Sequence, residues 1–317
     1  MGMGLFEGSR RYWLIFSLVV LIGLAALPYY TGGYTMILVT DILMYIVLTV
    51  SWVMFSSPTK YLSLATAAFL GVGIYTAAWV GMDWPLPFVI LAGGVFAAIL
   101  AMVTGAITLR LRGIYFAIFT FGLGELIKYL LLWYEIEFTG TRGRFVVVVD
   151  NQVIYYYMLG IFVVLFAVTY LIRRSKYGLA LQSIGENEEA AAHTGINTVL
   201  LKVMTFALSA FFMGAAGATI ATRWTYVDPY IAFNYVNTFM PVLMAIFGGM
   251  GHLIGPVLGA AIFAYLQELL TTKLPYLYML IFGLVLVIAI MYLPNGLVGI
   301  VQKLRQRMMK KEQDADS

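Results

Sequence analysis

The stretch Leu86-Pro-Phe-Val-Ile-Leu-Ala-Gly-Gly-Val-Phe-Ala-Ala-Ile-Leu-Ala-Met-Val-Thr-Gly-Ala-Ile-Thr-Leu109 carries no charge, and the run stops at Arg110. A helix rises about 1.5 Å per residue, so about 20 such residues cross the roughly 30 Å of hydrocarbon in a bilayer. Apolar runs of this kind recur near 12 to 31, 34 to 55, 61 to 82, 113 to 134, 153 to 172 and 199 to 222. Two further runs, 236 to 250 and 254 to 270, are split by Gly248-Gly249-Met250-Gly251, and 276 to 293 is the last. A porin-like barrel needs short segments of alternating polarity, and no stretch here keeps that period. The expected fold is therefore all-α, a polytopic helical membrane protein of about ten spans, or eight plus a re-entrant hairpin at the split pair.

The composition agrees. Of 317 residues 62% are hydrophobic and 11% charged, against about 25% charged in a soluble domain. There is no cysteine, which excludes disulfides and thiolate metal sites. His193 and His252 lie far apart in the chain, so no metal site is expected. The formal charge of +4 comes from basic residues beside apolar runs, which speaks for membrane topology and against nucleic-acid binding. No small-residue cleavage site follows Trp13 to Leu27 before Pro28-Tyr29-Tyr30, so this run is expected to stay as a span.

Cytoplasmic loops carry an excess of Lys and Arg. That rule puts Arg10-Arg11, Arg110 with Arg112, Arg173-Arg174-Lys176 and Lys303 to Lys311 inside, and with them both termini. Trp79, Trp84, Trp133, Tyr134, Trp224 and Tyr226 then fall at outer ends, where aromatic rings favour the headgroup region. The whole chain, 1–317, reads as one transmembrane domain, with a polar cytoplasmic segment at 173–198 and a short tail at 300–317.

That polar segment is Ser175-Lys-Tyr-Gly-Leu-Ala-Leu-Gln-Ser-Ile-Gly-Glu-Asn-Glu-Glu-Ala-Ala-Ala-His-Thr-Gly195. Within it, Glu189-Ala190-Ala191 is followed by Gly195, which reproduces the Glu-Ala-Ala-x3-Gly pattern of ABC importer permeases. The pattern makes physical sense. Alanines allow close approach to a partner, glutamates such as Glu186 and Glu189 offer charge-assisted contacts, and Gly195 can take a positive φ where the helix ends. Ser175 to Asn197 as a whole resembles the branched-chain amino acid permeases, down to the ending Gly195-Ile196-Asn197. Leu111-Arg112-Gly113-Ile114-Tyr115-Phe116-Ala117-Ile118, Gly255-Pro256-Val257-Leu258-Gly259-Ala260 and Pro294-Asn295-Gly296-Leu297 carry the same likeness, which spans residues 61 to 299.

The resemblance implies an ABC importer permease fold in which Glu186, Glu189, Ala190, Ala191 and Gly195 couple to an ATPase. It also implies a second homologous permease subunit, two cytoplasmic ATPase subunits and an extracytoplasmic substrate-binding protein, all in a bacterial or archaeal inner membrane. There is no Gly-x4-Gly-Lys-[Ser/Thr] loop in the sequence, so this chain is not its own ATPase. No cofactor is expected on it, ATP and Mg being held by the partners. Cargo by resemblance is a branched-chain amino acid or a related small solute; other amino acids, urea, short amides and aromatic acids remain open.

One run departs from the family. Where the permeases have Gly-Tyr-x-Gly-Gln-x-Ser-Leu-Gly, this chain reads Ser57-Pro58-Thr59-Lys60-Tyr61-Leu62-Ser63-Leu64-Ala65. Ser63 and Leu64 keep the pattern, and Gly71-Val72-Gly73-Ile74-Tyr75 returns to it. The small residues here either let helices pack closely or open a broken helix whose backbone lines a cavity. Ser63, Gly71, Gly73 and Tyr75 are candidates for the translocation path. So are Glu125 and Lys128, which share one helical face at i and i+3 and can neutralise each other, and the outer-loop residues Thr139 and Gly140, in Phe138-Thr139-Gly140-Thr141-Arg142-Gly143. Asp41 has no local partner, and Glu268 with Lys273 falls near the outer boundary. A rival reading is an ion-coupled secondary transporter using Asp41, Glu125 and Lys128 as a relay.

Overall fold

The computed structural model describes residues 22–277 apart from position 112, together with 280, 281, 283, 284 and 287. Most of the expected span 276 to 293, the first half of 12 to 31, Arg10-Arg11 and the tail from 300 lie outside them; residues 22–30 are helical.

The helices are α1 (Gly33–Thr59), α2 (Thr66–Val80), α3 (Leu86–Thr108), α4 (Ile114–Tyr134), α5 (Asn151–Arg174), α6 (Lys176–Glu186), α7 (Glu188–His193), α8 (Thr198–Ala221), α9 (Pro229–Ala232), α10 (Val236–Gly248) and α11 (Ile254–Lys273). Among the described residues seven helices are long and apolar enough to cross a membrane, α9 with α10 counting as one, and α2 is a shorter apolar helix. Each of the eight apolar runs expected between 34 and 270 has its helix; ten spans are not reached within the described residues. One short antiparallel pair, β1 (Arg144–Phe145) with β2 (Tyr226–Val227), joins two loops at one end of the bundle. The other end carries α6 and α7.

Two boundaries differ from expectation. The run expected from 61 becomes helical only at Thr66, because Pro58 lies in the last turn of α1 and Lys60 then turns left-handed at φ 58°. Lys60 is the one non-glycine with positive φ among the described residues, and it occupies a position where the permease pattern has glycine. Five further residues have no regular structure before α2 begins. At the split pair, α10 ends at Gly248, Gly249 turns at φ 95°, and α11 runs back against α10. The Met250 carbonyl accepts from Ser57 Oγ at 3.0 Å and from an Arg173 amine at 3.3 Å, so the turn sits at the end that carries α6 and α7.

In lipid there is little hydrophobic drive between helices, so association rests on close packing and hydrogen bonds. The sequence supplies both. A Cβ at Gly73 of α2 would overlap the Gly214 carbonyl of α8, and one at Gly214 would overlap the Gly93 carbonyl of α3. Three backbones thus meet through glycine. α10 and α11 meet in the same way, Gly248 against Gly255 and Gly259 against Met244. Hydroxyls inside the bundle turn back onto their own helix, as Thr40 does to the Met36 carbonyl and Thr219 to that of Ala215, both at 2.8 Å. Such bonds satisfy these donors inside the bundle, whereas the hydroxyls of Ser51, Ser56 and Thr66 are buried without a hydrogen-bond partner. Phe88, Val95, Phe96 and Ile107 of α3, and Ile118, Leu126 and Leu130 of α4, are exposed, apolar surface suited to lipid or to a neighbouring membrane subunit.

Candidate functional site

The segment between α5 and α8 is built almost entirely from caps. Ser175 caps α6, its Oγ accepting from the Gly178 amide at 3.4 Å. Asn187 breaks the chain between α6 and α7 with φ −156°, and its Oδ1 accepts the Glu189 and Ala190 amides at 3.1 and 3.0 Å. At the other end the Gly195 amide donates to the Ala192 carbonyl at 3.0 Å and the Ile196 amide to that of Ala191 at 3.3 Å. This is the Schellman arrangement, with Gly195 left-handed at φ 86° as it requires. Asn197 Oδ1 then accepts from the Leu200 amide at 3.1 Å and starts α8. A six-residue helix is too short to hold itself in water, so these caps are what define α7.

Glu186, Glu189, Ala190 and Gly195 are exposed, and nothing lies within 4 Å of a Cβ built on Gly195. Ala191 differs from expectation. It is 3% exposed and packs against its own chain, because a helix this short, lying on the bundle, must turn one face inward. Glu186 pairs with Lys60 at 2.8 Å on the surface, where such pairs contribute about 0–1 kcal/mol.

Beneath α7 lies a polar node absent from the sequence reading. Lys202, four residues beyond Thr198 in α8, is 1% exposed. Its ammonium forms an ion pair with Glu188 and donates to the Leu109 carbonyl at 2.9 Å and the Tyr61 hydroxyl at 3.0 Å. Tyr61 in turn donates to the second Glu188 oxygen at 2.7 Å. The node therefore joins α7, α8, the end of α3 and the irregular run 60–65. A lone lysine one turn into an apolar run is the signal that could have found it, since a buried cation needs a counter-charge.

At the opposite end, Thr139 Oγ1 turns back toward the Glu135 carbonyl and Gly140 takes φ 66°, the tight turn its glycine allows. Glu135 is 1% exposed; it accepts the Gly143 amide at 2.8 Å and lies 3.7 Å from Arg144. Arg142 pairs with Asp228 at 2.9 Å and covers the ring of Tyr230. Thr139 and Gly140 thus belong to a loop fixed to its neighbour by β1 and β2. Glu125 and Lys128 make the ion pair their spacing predicts, and Lys128 also lies 5.5 Å from the Tyr230 ring centre.

The other candidates lie inside the bundle. Ser63 Oγ accepts the Ala65 amide at 3.3 Å while its carbonyl accepts Trp52 Nε1 at 2.7 Å, so it shapes the entry to α2. Gly71 packs on the Phe233 ring and Gly73 on Gly214. Tyr75 is buried, its ring against Trp79 and Phe233. Asp41, without a local partner in sequence, pairs with Arg223 at 2.6 Å. The pair forms part of the wall of a cavity of about 230 Å³ together with Asn237, Gln267 and Glu268.

The geometry describes a helical membrane bundle with a capped, charged segment at one end and a fixed loop pair at the other, and the comparisons with known proteins agree with it. The chain is 27% identical over 345 residues to the high-affinity branched-chain amino acid transport system permease protein LivM of Escherichia coli (strain K12), covering 97% of this chain and 80% of that protein. It is 28% identical over 140 residues to the permease LivH of the same transport system in Salmonella typhimurium, covering 44% of each. The ribose import permease protein RbsC of Haemophilus influenzae is 30% identical over 112 residues, 34% of this chain and 35% of that one. No solved structure matches. A family described as branched-chain amino acid transport system / permease component matches residues 34–290, and the chain belongs to that family.

Proposed function

We propose that this membrane permease is one half of the membrane channel of an ATP-driven importer, carrying branched-chain amino acids or closely related small solutes into the cell by alternating access. The observation that carries the reading is the α6–α7 segment. It is capped at both ends, presents Glu186, Glu189, Ala190 and Gly195 to solvent, and rests on a buried ionic node. A cytoplasmic ATPase docking there would hold ATP and Mg and do the chemistry. Its closure would shift the membrane domain between inward-open and outward-open populations.

The remaining parts of the assembly follow from the likeness. The match to both LivM and LivH supports a second, homologous permease as the membrane partner. A binding protein would deliver solute at the loop 139–145 end, where Thr139, Gly140 and Arg142 face outward. Both termini and the α6–α7 end would face the cytoplasm of a bacterial or archaeal cell. The full-depth turn at Met250, hydrogen-bonded to Ser57 and Arg173, favours two crossings for α10 and α11, and with them ten spans. Ser63, Gly71, Gly73, Tyr75, Glu125 and Lys128 remain candidates for lining the path in some state of the cycle. The relay reading is weakened because Asp41 and Glu125 each already have a cation.

The test is purification of the tagged chain in mild detergent with its partners. A P-loop ATPase and a second permease should come with it. Gly195→Trp, strained by the positive φ and bulky on the docking face, should insert normally yet lower ATPase recovery or solute-stimulated hydrolysis at least tenfold. Full stimulated hydrolysis by that variant, or solute uptake into liposomes without ATP, would overturn the reading.

A further inference from the structure

The last turn of α1 and the irregular run that follows it touch the α6–α7 segment in three ways. Gly185 of α6 packs directly on the Pro58 carbonyl, so that no side chain fits between them. Lys60 pairs with Glu186 at 2.8 Å. Tyr61 donates to Glu188 at 2.7 Å, and both are held by the buried Lys202 ammonium. These contacts follow the same order along both segments, Pro58, Lys60 and Tyr61 meeting Gly185, Glu186 and Glu188 in turn. They tie one backbone to the other along a line rather than at a point.

The run leads directly into α2, and its far end is fixed as well. Ser63 is bonded to Trp52 and to the Ala65 amide, and the Leu64 amide donates to Thr120 Oγ1 at 2.9 Å. Between Lys60 and Thr66 there is no helix to absorb a displacement by bending. α2 itself is short and carries Gly71, Gly73 and Tyr75. It meets α8 through the Gly73–Gly214 backbone approach and through the edge-on rings of Phe69 and Phe206, 5.2 Å apart, so a shift of α2 is felt directly by α8.

We infer that Tyr61, Glu188 and Lys202 are positioning residues that make the run 58–65 a lever, passing movement of the α6–α7 segment to α2 and so to the residues it carries. This rests on the importer reading above. It adds which membrane helix receives the motion and through which atoms. Lys202 is the pivot: bonded to α7, to Tyr61 and to the Leu109 carbonyl, it keeps the lever and α7 on one body while that body moves relative to α8's far half. Lys60 takes a left-handed conformation, unfavourable for a residue with a Cβ, and its ammonium reaches Glu186.

The experiment uses the purified complex of this chain with its ATPase and second permease. The absence of cysteine allows two single-thiol reporters, Val80→Cys at the far end of α2 and His193→Cys on α7. Labelling rates with a water-soluble maleimide are compared with and without ATP and vanadate. In the parent complex both reporters should respond. Tyr61→Phe should cut the Val80→Cys response at least threefold while the His193→Cys response and the basal hydrolysis rate persist. Lys202→Met should do the same, and Lys202→Arg should keep the response. A purely structural role would move both reporters together.

An undiminished Val80→Cys response in both Tyr61→Phe and Lys202→Met overturns the inference, as does a parent complex in which His193→Cys responds and Val80→Cys does not. If Lys202→Met fails to assemble, Tyr61→Phe decides alone. If no ATPase accompanies the parent chain, the importer reading itself falls, which is a different result from either.

Discussion

Two of the contacts that α8 makes with the rest of the bundle differ in kind. In its middle, Gly214 and Gly217 meet Gly93 and the Leu70 carbonyl backbone to backbone. One turn from its start, Lys202 meets three partners, Glu188, Leu109 and Tyr61, through a long side chain. The first contact gains stability from the absence of atoms and is specified by shape alone. The second gains it from charge and is specified by which groups surround the ammonium. A contact made of shape should tolerate no enlargement, however conservative. A contact made of charge should tolerate a change of shape that keeps the charge.

Substitutions can break that contrast in order of size. Lys202→Met takes the buried ammonium away from Glu188 and should destabilise the protein by about 3 kcal/mol, the low end for a broken buried pair because Glu188 keeps some solvent contact. Thermal unfolding in detergent reads the loss, and Lys202→Arg should recover most of it. Gly73→Val forces two methyls into the Gly214 carbonyl and should cost about 1–3 kcal/mol; here the conservative Gly73→Ala should recover little, since the Cβ alone already overlaps. If Gly73→Ala melts like the parent, the shape half of the contrast fails. Asn187→Ala removes one cap and should cost about 1 kcal/mol, visible as faster amide exchange in α7 with little change in global melting.

The same contrast separates what the sequence discloses from what it conceals. Spans, the capped segment and the left-handed Gly195 depend on neighbours in the chain, so period and spacing reveal them. The Glu125 and Lys128 pair is legible for the same reason, being three residues apart. Asp41 and Arg223, or Lys202 and Tyr61, meet only once helices distant in sequence have packed, and no local pattern marks the partners. The burial of Ala191 is hidden for a third reason. Which face of a short helix turns inward is decided by the surface beneath it, and the Glu-Ala-Ala pattern says nothing about that surface. Lys60 shows the limit of pattern matching in the opposite direction: it departs from the permease pattern, yet it adopts the left-handed turn that a glycine at that position would permit.

Synthesis runs from the N-terminus, and the partners of Lys202 are Tyr61, Leu109 and Glu188. Every one of them has left the ribosome before the lysine does, and the nearest is only fourteen residues ahead. The cation that α8 must bring to the edge of the hydrocarbon thus arrives with its counter-charge already made, and it can enter the membrane as a neutral pair. Asp41 has the reverse history: its arginine is translated 182 residues later, so the nascent chain carries that carboxylate unpaired until α8 is complete.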